Sequence, residues 1–135
     1  RGFAGHSTEL TAIYNTVDVN VDIGRIYQPD IVTMRVFDVL ACGGFLLAAW
    51  SEELGELFEL GRELETWRTL PELKDKVGFY LARPALRRTM ADRGRARVLR
   101  DHRIRGRVET MLRVSGLISP VSSDGSRASR EDSAD

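Results

Sequence analysis

The sequence predicts an α/β fold: a Rossmann-like parallel sheet with flanking helices. Three observations carry that prediction. Runs with strand patterning alternate with runs of helical spacing, which implies parallel strands joined by helical crossovers. Helix start and stop residues stand where those runs change. Hydrophobic residues make up 42% of the 135 positions and charged residues 30%, enough for a packed core.

Taken in order, residues 8–15 read as a short helix. Leu10, Ile13 and Tyr14 fall at helical spacing, and Ser7 or Thr8 serves as cap. Residues 17–23 alternate Val and Ile with polar side chains, a strand signature. Residues 24–30 hold Gly, Gln-Pro and Asp, and form a loop. Residues 31–42 are apolar and of helical length, with Gly43-Gly44 as the stop. Residues 45–49 are a short buried strand. Ser51-Glu52-Glu53 opens a helix with Leu54, Leu57 and Phe58 inside, and Gly61 ends that segment. Residues 63–67 are a third strand, although Glu is a poor strand former. Thr69-Leu70-Pro71-Glu72 starts the next helix, with Leu73, Val77, Tyr80 and Leu81 inside. Pro84 starts another, to about residue 100, with Leu86, Met90, Val98 and Leu99 on its buried side. One more spans residues 102–114. The expected organisation is a partial Rossmann-like domain over residues 1–115 and a disordered Ser-rich tail over 116–135.

Composition narrows the function. Twenty basic residues cancel twenty acidic ones, so net charge gives no reason to expect nucleic acid. Eighteen of the basic residues are Arg; only Lys74 and Lys76 are Lys. The lone Cys42 lies in an apolar run and reads as a small buried hydrophobe in a reducing, cytoplasmic setting. No stretch reaches the ~20 apolar residues of a membrane span. His6 and His102 are too isolated for a metal site, and no G-x-G-x-x-G or Walker pattern is present.

The segment richest in chemistry is residues 30–44. It follows a strand and a loop, and it opens a helix. Ligands of open α/β sheets gather at the strand C-termini, and helix N-termini favour anions. A diphosphate therefore fits near Val32 to Met34, with Arg35 adding a bidentate cation. Asp30 and Asp38, eight residues apart, offer acceptor oxygens for sugar hydroxyls. The competing reading makes Asp30 a helix cap and Arg35 the ion-pair partner of Asp38.

The run R-V-F-D-V-L-A-C-G-G-F-L-L at residues 35–47 resembles the R-V-F-E-A-L-A-C-G-A-F-L-L signature of the CgeB-like, spore-maturation-type glycosyltransferases, relatives of group 1 glycosyltransferases. Residues 52–63 are similar to that family's D-L-x-E-L-F-E-P-G-x-E. Pro71-Glu72-Leu73, Tyr80-Leu81-Ala82-Arg83-Pro84 and residues 94–102 match further blocks in the same order. The resemblance covers about residues 8–115.

It implies the C-terminal, donor-binding half of a two-domain GT-B enzyme, with little turnover expected from that half alone and the N-terminal domain as its missing partner. It needs no cofactor beyond the nucleotide-diphosphate sugar, which is a substrate, and no metal. Asp30 falls on the family's acid near the donor sugar and is the expected catalytic residue. Asp38 falls on the ribose-binding acid; both are Asp where the family has Glu. Thr33 stands where the family has Asn or Ser, and Arg25 corresponds to a basic residue of the preceding loop. The alternative is a non-catalytic glycosyltransferase-like module used for protein contact in a spore or cell-surface assembly. From Arg83 to Arg113 the chain carries eleven Arg against three acids, Asp92, Asp101 and Glu109. That stretch is either a solvated helix face or a basic surface for peripheral membrane contact; few aromatics interleave with it, which argues against single-stranded nucleic acid.

Overall fold

A computed structural model describes residues 8–24 and 31–117. Strands β1 (Asn20–Asp22), β2 (Leu46–Ala49) and β3 (Glu65–Trp67) form a parallel sheet in the order β1-β2-β3. Asp22 lies opposite Ala48, and Ala48 opposite Thr66. The first strand is shorter than its alternation from 17 to 23 suggests. Val17 N–H still donates to Ile13 O, extending the exit of helix α1 (Thr8–Thr16), and the Asp18 carboxylate is held by Arg87.

Helices α2 (Met34–Ala41) and α3 (Glu52–Leu57) are the two crossovers and share one face of the sheet. Val36, Phe37, Val39 and Leu40 of α2 pack there with Leu46, Leu54, Phe58 and Leu64. The helix expected from residue 31 starts at Met34, because Thr33 is extended and Val32 N–H donates to Glu53 Oε2 at 3.0 Å. Gly43 and Gly44 end it as expected. Gly43 has φ +80°, and the amides of Gly43 and Gly44 return to the carbonyls of Leu40 and Val39. Cys42, expected to be buried, is half-buried at this helix end and reaches Thr11 Oγ1. Ser51 caps α3 by accepting from Leu54 N–H. That helix stops at Leu57, four residues before Gly61.

The other face is covered by α4 (Leu70–Leu81) and the first half of α5 (Pro84–Asp101), with Phe45, Leu47, Trp67, Tyr80, Met90 and Ala91 in its core. Thr69 caps α4 through Glu72 N–H. Val98, farther along α5, belongs to the first core, so α5 serves both faces. Its buried stripe runs through Arg87, Met90, Ala91, Gly94 and Val98. Leu86 and Leu99 therefore fall outside it, each 38% exposed, and Leu81 is likewise exposed at the end of α4. Three of the six α5 arginines donate to backbone. Arg87 holds the carbonyls of Tyr80 and Leu81, Arg95 that of Ala41, and Arg97 that of Leu57.

Glu65 is tolerated in β3 because it is paired. Its carboxylate accepts from Tyr80 Oη at 2.6 Å and from Lys76 Nζ at 3.1 Å. Burial and the Glu65 bond push the Tyr80 phenol well above its usual value. Burial alone would lower the Lys76 pKa, but bonds to Glu72 and Glu65 outweigh it and raise it. Both folded values are raised, so both groups stabilise the fold fully below their ordinary values, near pH ~10. That contribution is lost as pH climbs above ~10 toward the folded values. Denaturation series from about pH 8 to about pH 11 should show this alkaline loss, with a shallower slope for Tyr80→Phe. Identical slopes for the variant and the parent chain would remove Tyr80 from the account.

A second unit begins at Ile104. Its described part is α6 (Ile104–Val114), closed by Gly116 at φ +74° and by Leu117 N–H donating to Leu112 O. Of the tail expected from residue 116, positions 118–135 lie outside the described residues.

Candidate functional site

Parallel strands expose their last carbonyls and the following turns at one edge of the sheet, and here that edge carries a cleft of about 190 Å3. Asp22, Ile23 and Gly24 leave β1 into it. Ala49, Trp50 and Ser51 leave β2 beside them, and Val32 and Val36 close it from the start of α2. Asp22 is 4% exposed, and its Oδ1 accepts from Arg35 Nη1 at 3.1 Å. The Arg35 side chain is itself 59% exposed, so one part of the guanidinium is pinned to a wall residue of the cleft and the rest faces solvent. Trp50 forms another part of the wall. The Arg68 guanidinium covers its ring, 3.5 Å from the centroid.

The start of α2 is not empty of charge. Glu53 of α3 places Oε2 on Val32 N–H, an anion at a helix N-terminus. Thr33 is the N-cap but makes no side-chain cap bond. Its Oγ1 is buried with no hydrogen-bond partner among the described residues. A buried hydroxyl left in this way costs roughly 1 to 3 kcal/mol unless something bonds it.

Neither Thr33 nor Arg35 lines the cleft; Thr33 follows its wall residue Val32, and Arg35 bonds to Asp22, which does line it. Asp38, one turn beyond Arg35, is exposed and does not line the cleft. Arg35 pairs with Asp22 across the sheet, not with Asp38 along the helix. Arg25 and Asp30 lie outside the described residues. Asp22, Trp50 and Glu53 were not anticipated as site residues. The available signal was position: Asp22 is the last polar residue of an alternating run, and Trp50 directly follows a buried one.

The sheet edge and its cleft fit a ligand-binding α/β domain, and the sequence match says which kind. Residues 2–113 match the glycosyl transferase-like family. The chain belongs to that family. Among curated proteins and among solved structures, none matches this chain. The match covers every strand and all but the last residue of α6. It ties this glycosyl transferase-like chain to sugar-transfer chemistry through its fold and sequence together.

Two further features of the chain stand apart from the cleft. The His102 ring packs between Phe37 and Phe58, with centroids 5.5 and 5.1 Å away, and its Nε2 is 3.3 Å from Leu57 O. This is a packing role. Among the described residues, no helix is long and apolar enough to cross a membrane.

Proposed function

We propose that this glycosyl transferase-like chain binds the nucleotide-diphosphate sugar donor of a CgeB-like glycosyl transfer, in the cleft where β1 and β2 end. The observation that supports this reading is Arg35, anchored by Asp22 of the cleft wall yet open to solvent. A pinned guanidinium is a ready partner for a diphosphate and stabilises charge developing on it as it leaves. Thr33 and Arg25 complete the proposed contacts to the diphosphate, Asp38 is proposed for a ribose that extends beyond the cleft along α2, and Asp30 is proposed beside the donor sugar. The acceptor is assigned to a second, N-terminal domain of the GT-B arrangement, so binding rather than turnover is the readout for these residues.

Calorimetric titration with UDP-, GDP- and TDP-sugars tests this. Arg35→Ala should weaken binding of the preferred donor by about tenfold or more. Donor affinity unchanged in Arg35→Ala would overturn the assignment.

Glu53 favours a second reading, a glycosyltransferase-like module that takes up no donor, because its carboxylate already holds the amide a phosphate would use. Glu53→Gln separates the two. Tighter donor binding in this variant means a competed site, whereas no heat from the folded variant or the parent chain supports the non-catalytic module.

A further inference from the structure

The open sheet has two edges, β3 and β1, and they are finished differently. Along a parallel ladder a residue turns both its N–H and its C=O to one side, and the next residue turns both to the other. Trp50 N–H donates to Trp67 O at 2.9 Å, so Glu65 and Trp67 serve β2 and Thr66 faces outward from β3. Side chains cap that outer edge. Thr66 N–H donates to Glu65 Oε1 at 2.8 Å, and Thr66 O accepts from Lys76 Nζ at 2.6 Å. At the other edge Asn20 N–H donates to Phe45 O at 3.0 Å, so Asn20 and Asp22 serve β2 and Val21 faces outward from β1. Among the described residues nothing caps Val21: its amide and its carbonyl have no partner.

The open edge is also apolar. Val21 lies opposite Leu47, on the sheet face that α4 and α5 cover, yet it is 39% exposed. Val19 packs against that core, and Ile23 is 67% exposed. No proline or lysine, the usual guards of a free edge, stands among residues 17–24. Unpaired N–H and C=O groups along an extended segment fit one kind of occupant, another strand.

Strand β1 is complementary to itself. In an antiparallel register centred on Val21, each Val21 exchanges both backbone bonds with the Val21 of a second copy. Val19 then falls opposite Ile23, and Asn20 opposite Asp22. Apolar side chains meet on one face, and no like charges oppose each other on the other. With β3 capped, edge pairing does not propagate and closes at two copies.

We infer that two copies of this chain pair through β1 about a two-fold axis at Val21, joining their sheets into one. The clefts, which open where β1 and β2 end, then lie at opposite ends of the joined sheet. The pairing is independent of whether the cleft binds a donor.

The test is sedimentation equilibrium of the full chain over a concentration series, which should show a monomer–dimer equilibrium. Val21→Lys and Val21→Glu each set like charges face to face at the axis and should each raise the dissociation constant about tenfold or more. An equal mixture of the two variants sets Lys against Glu and should restore a dimer. The Val21 backbone does not serve β2, so both variants should keep the parent circular dichroism. In the parent chain itself, hydrogen exchange of the Val21 amide should slow as concentration rises. A parent chain that stays monomeric at every concentration, with exchange independent of concentration, overturns the inference and leaves this edge to a strand of another protein. A dimer that neither variant weakens overturns it too, as do folded variants whose mixture stays monomeric.

Discussion

Replacing Gly94 with alanine is expected to destabilise the fold by about 3 kcal/mol, although alanine is the better helix former. Gly94 sits inside α5 where it crosses the chain entering β3. A Cβ there would fall on the Glu63 carbonyl oxygen and lie 2.8 Å from Leu40 Cδ2. The carbonyl is backbone and Leu40 is fully buried, so neither can yield cheaply. Trimming Leu40 relieves one clash only, and Gly94→Ala combined with Leu40→Val should not recover the loss. Gly78, in α4, is the internal control: its added Cβ would meet nothing within 4 Å. Gly78→Ala should be neutral or stabilising by up to about 1 kcal/mol. Urea midpoints measure all three, and equal midpoints for the two alanine variants would refute the close-approach account.

Leu47→Ala is the second large effect, a loss of roughly 2 to 5 kcal/mol. Leu47 is fully buried in the central strand and points into the core that α4 and α5 cover. Its neighbours Phe45, Trp67 and Tyr80 are rigid aromatics, which collapse poorly into a void, so the upper part of that range is expected. Leu81→Ala and Leu99→Ala remove the same atoms from exposed positions and should change stability by no more than about 0.5 kcal/mol. A Leu47→Ala chain as stable as these two would contradict the assigned core.

Local chemistry was readable from the sequence where it depends on neighbours along the chain. Ser51 and Thr69 cap helices, Pro71 sits in a first turn, and Gly43-Gly44 ends α2, all as their residue types require. The inner stripe of α5 was readable only in part: Met90 and Val98 are buried as expected, whereas Arg87, Ala91 and Gly94 were not anticipated. It admits Arg87 because Asp18 and the carbonyls ending α4 receive its guanidinium, and Gly94 because backbone passes there. Both reasons lie far away in sequence, so a hydrophobic pattern selects Leu86 and Leu99 instead.

The candidate site divides in the same way. Thr33 and Arg35 follow from a helix that opens after a strand; neither lines the cleft, which Arg35 meets through its bond to Asp22. Asp22 was missed because an acid on an alternating strand reads as its solvent face; only the parallel register and the arrival of Arg35 make that position an inner one. The competing reading, a pair of Arg35 with Asp38, is not realised for a related reason. Helical spacing permits that pair, but an exposed carboxylate attracts a cation less than one held at 4% exposure.

Because α5 supplies Met90 and Ala91 to one core and Val98 to the other, neither face of the sheet is finished without it. The two faces are bound into one cooperative unit by an element that arrives late in the chain, with Arg95 reaching back 54 residues to Ala41. Closing such loops is entropically costly before any contact rewards it, which slows folding and leaves both apolar faces open until residues near 98 are in place. A nascent chain of this fold therefore carries its greatest exposure to aggregation immediately before α5 docks.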